Sequence, residues 1–135
     1  MSAARITSFL VKVASRCNLD CDYCYVCHHA DQGWRNMPRL LAPEHRTAFA
    51  GRLAEYAQAA GLQRAAVIFH GGEPLLAGAE EIVEFARQIR SATPGLIVDF
   101  GMQTNGLLLT ERVLDLLEAE EVAVSLSLDG PREAQ

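Results

Sequence analysis

Two kinds of segment alternate along the chain. In the short ones apolar residues alternate with other residues, and in the longer ones apolar residues recur at helical spacing. The two-residue period predicts β-strands, and a short continuous apolar run predicts a strand that is buried in a parallel sheet. The segments predicted to form strands are 9–13, 65–69, 96–102 and 122–128.

Amphipathic helices are predicted between these strands. Pro43 suits the first turn of the first helix and Gly61 its end, residues 80–92 form the second, and Thr110 caps the third. The apolar residues expected to face the core are Phe49, Leu53, Tyr56 and Ala60, then Ile82, Val83, Ala86 and Ile89, then Val113, Leu114 and Leu117.

The resulting order, βαβαβαβ, predicts an α/β fold with parallel strands. A polar motif follows each predicted strand. In chain order the motifs are Cys17-x3-Cys21-x2-Cys24, Gly71-Gly72-Glu73-Pro74, Gln103-Thr104-Asn105-Gly106 and Ser127-Leu128-Asp129-Gly130-Pro131. Because the carboxyl ends of parallel strands meet at one edge of a sheet, where such folds bind ligands, we expect the motifs to form one site.

The sequence has 135 residues, of which 50% are hydrophobic and 21% charged, and its formal net charge is −5. This balance is typical of a single domain over residues 1–135 and argues against a nucleic-acid binder, which would carry clustered Lys and Arg. The chain contains neither an apolar run of the roughly 20 residues that a membrane-spanning helix needs nor a secretory signal at its N-terminus. We therefore expect a cytoplasmic protein without a membrane partner, in which thiols stay reduced.

All four cysteines lie between positions 17 and 27, which is typical of metal or redox chemistry rather than of disulfides that join distant segments. The spacing of Cys17, Cys21 and Cys24 suits an iron–sulfur cluster, whose usual ligands are thiolates. A four-iron cluster held by three thiolates keeps one iron open to bind a substrate. A zinc site formed by Cys21, Cys24 and either His28 or His29 is the alternative.

With four motifs in order and a predicted strand before each, the chain from about residue 9 to 131 resembles the N-terminal part of the core domain of radical S-adenosylmethionine enzymes. It is most similar to the branch of SPASM-type peptide maturases and anaerobic sulfatase-maturing enzymes. The resemblance implies a partial (β/α)6 barrel, of which this chain supplies (β/α)3 and a fourth strand. We expect a truncated core, or one that a partner chain completes, with the fourth strand as an open edge.

The resemblance also implies the cofactors, a [4Fe–4S] cluster on Cys17, Cys21 and Cys24 and S-adenosyl-L-methionine. One electron from an external donor would cleave S-adenosylmethionine to methionine and a 5′-deoxyadenosyl radical. That radical would remove hydrogen from a peptide or protein substrate and lead to a crosslink or an oxidised side chain. Cys27 is interpreted as a packing residue, because a fourth thiolate would close the open iron.

The residues to which the resemblance gives cofactor contacts are Tyr23, Gly71, Gly72, Glu73, Asn105, Ser127 and Asp129. Tyr23 would lie near the adenine, the two glycines would let the backbone approach the methionine part, and Glu73 would hold its ammonium group. Ser127 would contact the bound cofactor. Asn105 and Asp129 would orient the ribose or brace the loops.

Other functions fit the same residues. A non-catalytic module could hold a cluster or zinc and engage a peptide or a partner chain. An electron-transfer iron–sulfur protein would carry the cluster without binding S-adenosylmethionine. The role of His70 stays open, as do those of His28 and His29.

Overall fold

A computed structural model of the protein describes residues 4–19 and 32–128, and the structural statements below concern these residues. Four strands form one sheet in the order β1-β2-β3-β4, and each neighbouring pair is parallel. The strands are β1 Ser8–Ala14, β2 Arg64–Gly71, β3 Ile97–Thr104 and β4 Val122–Leu126. The predicted α/β fold with parallel strands is confirmed.

Three α-helices connect the strands in the described part of the chain: α1 Pro43–Ala60, α2 Ala79–Ala92 and α3 Glu111–Ala119. Pro43 lies in the first turn of α1, and Gly61 ends that helix in the left-handed region, with φ at 66°. The Thr110 hydroxyl accepts a hydrogen bond from the Val113 N–H at 3.2 Å and so caps α3. Short 3₁₀ helices cover Gly33–Asn36 and Pro74–Ala77. No helix in the described segments is long and apolar enough to cross a bilayer.

One face of the sheet packs against the helices and forms the hydrophobic core. In β2 the side chains of Val67 and Phe69 are fully buried, whereas Ile68 and His70 on the opposite face are half-buried. The Phe69 ring stacks on Phe100 of β3 with 5.8 Å between centroids, which joins neighbouring strands inside the core. The burial of β2 alternates along the strand, although its sequence is a continuous apolar run, because the helices of the described segments cover only one face of it.

Several details differ from the sequence prediction. β4 ends at Leu126 instead of residue 128, and Leu126 and Leu128 are both exposed. β3 continues past residue 102 to Thr104, because Gln103 and Thr104 pair with β4 and extend the ladder. The apolar stripe of α3 is rotated: Leu117 is buried, but Leu114 is 43% exposed and Leu116 packs against the core instead. The prediction that Leu114 faces the core is therefore wrong.

Candidate functional site

The segments that follow β1 and β2 are joined through their backbones at the carboxyl edge of the sheet. The Gly72 N–H donates to the Ala14 carbonyl at 3.1 Å, and the Glu73 N–H donates to the Arg16 carbonyl at 2.8 Å. These bonds continue the β1–β2 pairing beyond a register shift between Lys12 and Ala14. As a result residues 14–16, which lead into the cysteine segment (residues 17–27), are in direct contact with the Gly-Gly-Glu-Pro motif.

Glycine is required at positions 71 and 72, because the backbone there lies very close to that of residues 14–17. A Cβ atom on Gly71 would lie 2.1 Å from the Ala14 carbonyl oxygen, and one on Gly72 would lie 2.3 Å from that of Arg16. Both distances are far inside van der Waals contact, and the colliding atoms are backbone atoms that cannot turn away. Gly71 also has a φ of 141°, which L side chains rarely adopt. The glycine pair therefore lets the Gly-Gly-Glu-Pro motif seat against residues 14–17.

Glu73 is fully buried, and its carboxylate joins the loops that follow β2 and β3. One oxygen, Oε2, accepts from the Leu75 N–H at 3.0 Å and from the Thr104 hydroxyl at 2.6 Å. The other, Oε1, accepts from the Asn105 N–H at 2.9 Å. Burial of a carboxylate is costly unless its oxygens are hydrogen-bonded, and these three donors meet that need.

Asn105 extends the same network to the cysteine segment. Its Nδ2 lies 2.7 Å from Asn18 Oδ1 and 3.7 Å from the Cys17 sulfur. Its Oδ1 accepts from the Leu107 N–H at 3.0 Å, which fixes the carboxamide within a local turn. A chain of contacts therefore runs from Glu73 through Asn105 to Cys17.

Fewer hydrogen bonds of the described residues join the end of β4 to this edge of the sheet. The Ser127 N–H donates to the Thr104 carbonyl at 2.8 Å, and Gln103 Nε2 donates to the Ser127 hydroxyl at 2.7 Å. Ser127 and the neighbouring Leu126 and Leu128 are exposed. The described part of the fourth motif thus touches the third motif without entering the buried network.

His70 lies on the sheet face opposite the hydrophobic core, beside the Gly-Gly-Glu-Pro motif. Its partner in the β1–β2 register is Lys12. Burial lowers the pKa of His70 below its ordinary value, and the nearby charge of Lys12 lowers it further. The buried Nδ1 atom makes no hydrogen bond within the described segments. A neutral imidazole in this position can accept or donate a hydrogen bond.

The structure brings together five of the residues predicted from the sequence. They are Cys17, Gly71, Gly72, Glu73 and Asn105, and Ser127 contacts the adjoining Gln103. The predicted residues that lie outside the described segments are Cys21, Tyr23, Cys24 and Asp129, together with Cys27, His28 and His29. Within the described segments alone, no three or more His, Cys, Asp or Glu residues are grouped to hold a metal ion.

Thr104 and Asn18 are functional-site residues to which the sequence motifs assign no individual role. Thr104 is 1% exposed, and its hydroxyl also accepts from the Gly106 N–H at 3.2 Å. The sequence does indicate that Thr104 is buried, because it shares its face of β3 with the apolar residues Phe100 and Met102. A hydroxyl on a core-facing strand position needs a partner. The partner itself, 31 positions away along the chain, could not be found from periodicity.

Comparison with known proteins identifies the family. Residues 11–134 match the model of the Radical SAM superfamily. The chain belongs to this superfamily. Membership confirms the predicted family, the partial-barrel α/β fold and the cofactor class, S-adenosylmethionine with a [4Fe–4S] cluster.

Curated relatives include anaerobic sulfatase-maturating enzymes and a probable cyclase. A cysteine-type anaerobic sulfatase-maturating enzyme of Clostridium perfringens is 33% identical over 132 residues, which are 93% of this chain and 34% of the relative. A serine-type enzyme of Bacteroides thetaiotaomicron is 28% identical over 121 residues, 90% of this chain and 28% of the relative. A probable GTP 3′,8-cyclase of Methanococcus aeolicus is 30% identical over 125 residues, 92% of this chain and 38% of the relative. The chain spans about a third of the length of these relatives.

Solved structures give the same result. The chain matches native anSMEcpe with bound AdoMet at a TM-score of 0.77 and 32% identity, over 93% of this chain and 34% of that one. It also matches native anSMEcpe with bound AdoMet and a Cp18Cys peptide, at a TM-score of 0.76 and 29% identity, over 95% of this chain and 33% of that one.

Proposed function

We propose that this chain is part of a radical S-adenosylmethionine enzyme that modifies a side chain of a peptide or protein. The observation that carries the proposal is the juxtaposition of Cys17, the first predicted cluster ligand, with the Gly-Gly-Glu-Pro and Gln-Thr-Asn-Gly motifs at one sheet edge. Since the chain spans about a third of its relatives, the activity belongs to the whole enzyme of which this part would form the cofactor-binding edge.

The donor set fits the proposed cofactors. Cys17, Cys21 and Cys24 would hold the [4Fe–4S] cluster, which supplies one-electron cleavage of bound S-adenosylmethionine and so a radical that removes hydrogen. The Cys17 sulfur already accepts N–H donors, from Asn105 and from Leu19 at 3.4 Å, as a thiolate ligand would. We also propose that Tyr23, Ser127 and Asp129 contribute to holding the bound cofactor.

The geometry refines two proposed roles. The Glu73 carboxylate already accepts three hydrogen bonds, and an ionised carboxylate offers about four acceptor positions. Because the side chain is also fully buried, the contacts favour a role for Glu73 in bracing the loops over a contact with the cofactor's ammonium group. For Asn105, whose carboxamide is engaged by Asn18 and Leu107, the contacts favour the bracing role over the ribose contact.

The substrate class rests on the relatives. Sulfatase-maturating enzymes recur among them, and one matched structure contains a bound peptide, which supports a peptide or protein substrate here. Reductive cleavage also needs an external electron donor. We place the protein in the cytoplasm, where its thiols would stay reduced.

The cluster can be tested by anaerobic reconstitution with iron and sulfide. We expect about four irons per chain, because the cubic cluster contains that number. Cys21→Ala should lose the cluster, whereas Cys27→Ala, a change at the fourth cysteine of the same segment, should keep it. Full iron content in Cys21→Ala would contradict the ligand assignment. Stoichiometric zinc without iron in the unaltered protein would support the non-catalytic metal-binding module instead.

A further inference from the structure

We propose that Asn105 is a positioning residue that donates an N–H···S hydrogen bond to Cys17 and thereby raises the reduction potential of the cluster. The inference rests on the proposed function, because it assigns Cys17 as a cluster ligand. It concerns a property of the site, the ease with which the cluster accepts an electron, that the cofactor contacts do not address.

The direct observation is the distance of 3.7 Å between Asn105 Nδ2 and the Cys17 sulfur. Sulfur is larger than oxygen, so its hydrogen bonds are longer than the ordinary range for N–H···O. An amide nitrogen carries two hydrogens. One can point to Asn18 Oδ1 at 2.7 Å, which leaves the second for the sulfur.

The orientation of the carboxamide is fixed by a contact that cannot be reversed. Asn105 Oδ1 accepts from the backbone N–H of Leu107 at 3.0 Å, and a backbone N–H can only donate. The oxygen must therefore face Leu107, and the nitrogen must face Cys17. This removes the usual ambiguity between the oxygen and nitrogen of an asparagine side chain.

The Asn105 backbone is held as firmly as its side chain. Its N–H donates to the buried Glu73 carboxylate at 2.9 Å, and that carboxylate also binds the Thr104 hydroxyl. Since Glu73 is 0% exposed, water does not compete for these bonds. The amide is thus presented to Cys17 by a buried support rather than by a mobile surface side chain.

Hydrogen bonds to ligand sulfurs are among the features that set the potential of an iron–sulfur cluster. An N–H donor withdraws negative charge from the sulfur. It therefore favours the reduced cluster, which carries one more electron than the oxidised one. Removing the donor should make reduction harder.

The test is a redox titration of the reconstituted protein, with dithionite as the one-electron donor and the EPR signal of the reduced cluster as the readout. In Asn105→Ser the shorter side chain no longer reaches the Cys17 sulfur, and the charge is unchanged. The serine hydroxyl can still accept a hydrogen bond from the Leu107 N–H. We expect the ratio of reduced to oxidised cluster at a fixed potential to fall by roughly threefold to tenfold, where tenfold corresponds to about 59 mV. Asn18→Ser, the matched control in the cysteine segment, should change it by less than about twofold.

A second pair of variants keeps the inference testable if Asn105→Ser fails to assemble. Asn105→Asp preserves the acceptor for Leu107 but loses the donor, and Asn18→Asp adds the same charge beside it. We expect the larger fall in Asn105→Asp. Equal falls in the two aspartate variants, or an unchanged potential in Asn105→Ser with its cluster intact, would overturn the inference while leaving the proposed function standing. Failure of the unaltered protein to take up iron would overturn the proposed function itself.

Discussion

The two ends of the carboxyl edge of the sheet are built differently. At β1, β2 and β3, a buried carboxylate and a glycine pair fix the loops through hydrogen bonds of 2.6–3.1 Å. At β4, Ser127 is exposed and reaches the same edge through its N–H and hydroxyl. The first end is therefore preorganised by buried contacts within the described residues, as a site for a cofactor requires, whereas the contacts at the second end are made by an exposed residue.

The largest expected effect comes from the buried carboxylate at the preorganised end. Glu73→Gln keeps the side-chain shape but replaces one acceptor oxygen by an NH₂ group that must face the Asn105 N–H or the Leu75 N–H. We expect a loss of about 3 kcal/mol in the free energy of unfolding, because a buried charged acceptor is lost and a donor is left unsatisfied. Urea unfolding monitored by circular dichroism measures this loss.

The exposed end at β4 can be tested by the same unfolding experiment. Ser127→Ala removes an exposed hydroxyl, so its effect should stay within about 0.5 kcal/mol. Glu55→Gln, an exposed position on α1, controls for the loss of a carboxylate. If Ser127→Ala cost as much as Glu73→Gln, the distinction between the two ends would be wrong.

An intermediate effect is expected from the glycine pair. Gly72→Ala places a Cβ 2.3 Å from the Arg16 carbonyl oxygen, which forces the loop after β2 away from the cysteine segment. We expect a cost of about 1–3 kcal/mol and a reduced iron content after reconstitution.

Gly51→Ala is the matched control for that change. Gly51 lies inside α1 with nothing within 4 Å of the added Cβ. This substitution should stabilise the protein by about 0.5–1 kcal/mol, since glycine is unfavourable in a helix. Equal stability of the two alanine variants would show that the loops after β1 and β2 are not closely seated.

The smallest expected effect is a pH dependence that involves His70. Burial and the charge of Lys12 lower its pKa in the folded protein, so the unfolded chain takes up the proton first as the pH falls. Stability should be full above about 6.5, the ordinary pKa of histidine, and should decline as the pH falls from there through the folded pKa. Thermal unfolding between pH 7.5 and 5 should show a shallower decline in His70→Gln. Identical slopes in both proteins would contradict the burial of His70.

Much of the fold follows from local sequence signals. Pro43 and Gly61 predict the bounds of α1 because they act through their own backbone geometry. The placement of the motifs at one edge follows from the βαβ order alone. The prediction for Leu114 is wrong because the face on which it lies depends on how α3 rotates against the sheet, and a helix of nine residues does not fix this rotation by itself.

The buried network lay beyond sequence reasoning for a different reason. Glu73 and Thr104 meet only after β2 and β3 have paired, so neither periodicity nor motif spacing connects them. The family resemblance of the Gly-Gly-Glu-Pro motif implies a contact between Glu73 and the cofactor. The structure adds that the same glutamate binds three donors of its own chain.

The proposed function requires that this edge bind S-adenosylmethionine at a cluster with an open iron. It is tested most directly by the EPR spectrum of the reduced, reconstituted protein with and without added S-adenosylmethionine. We expect the spectrum to change on addition, because the cofactor would coordinate the open iron. An identical spectrum from a fully assembled cluster would contradict the claim and indicate an electron-transfer protein instead.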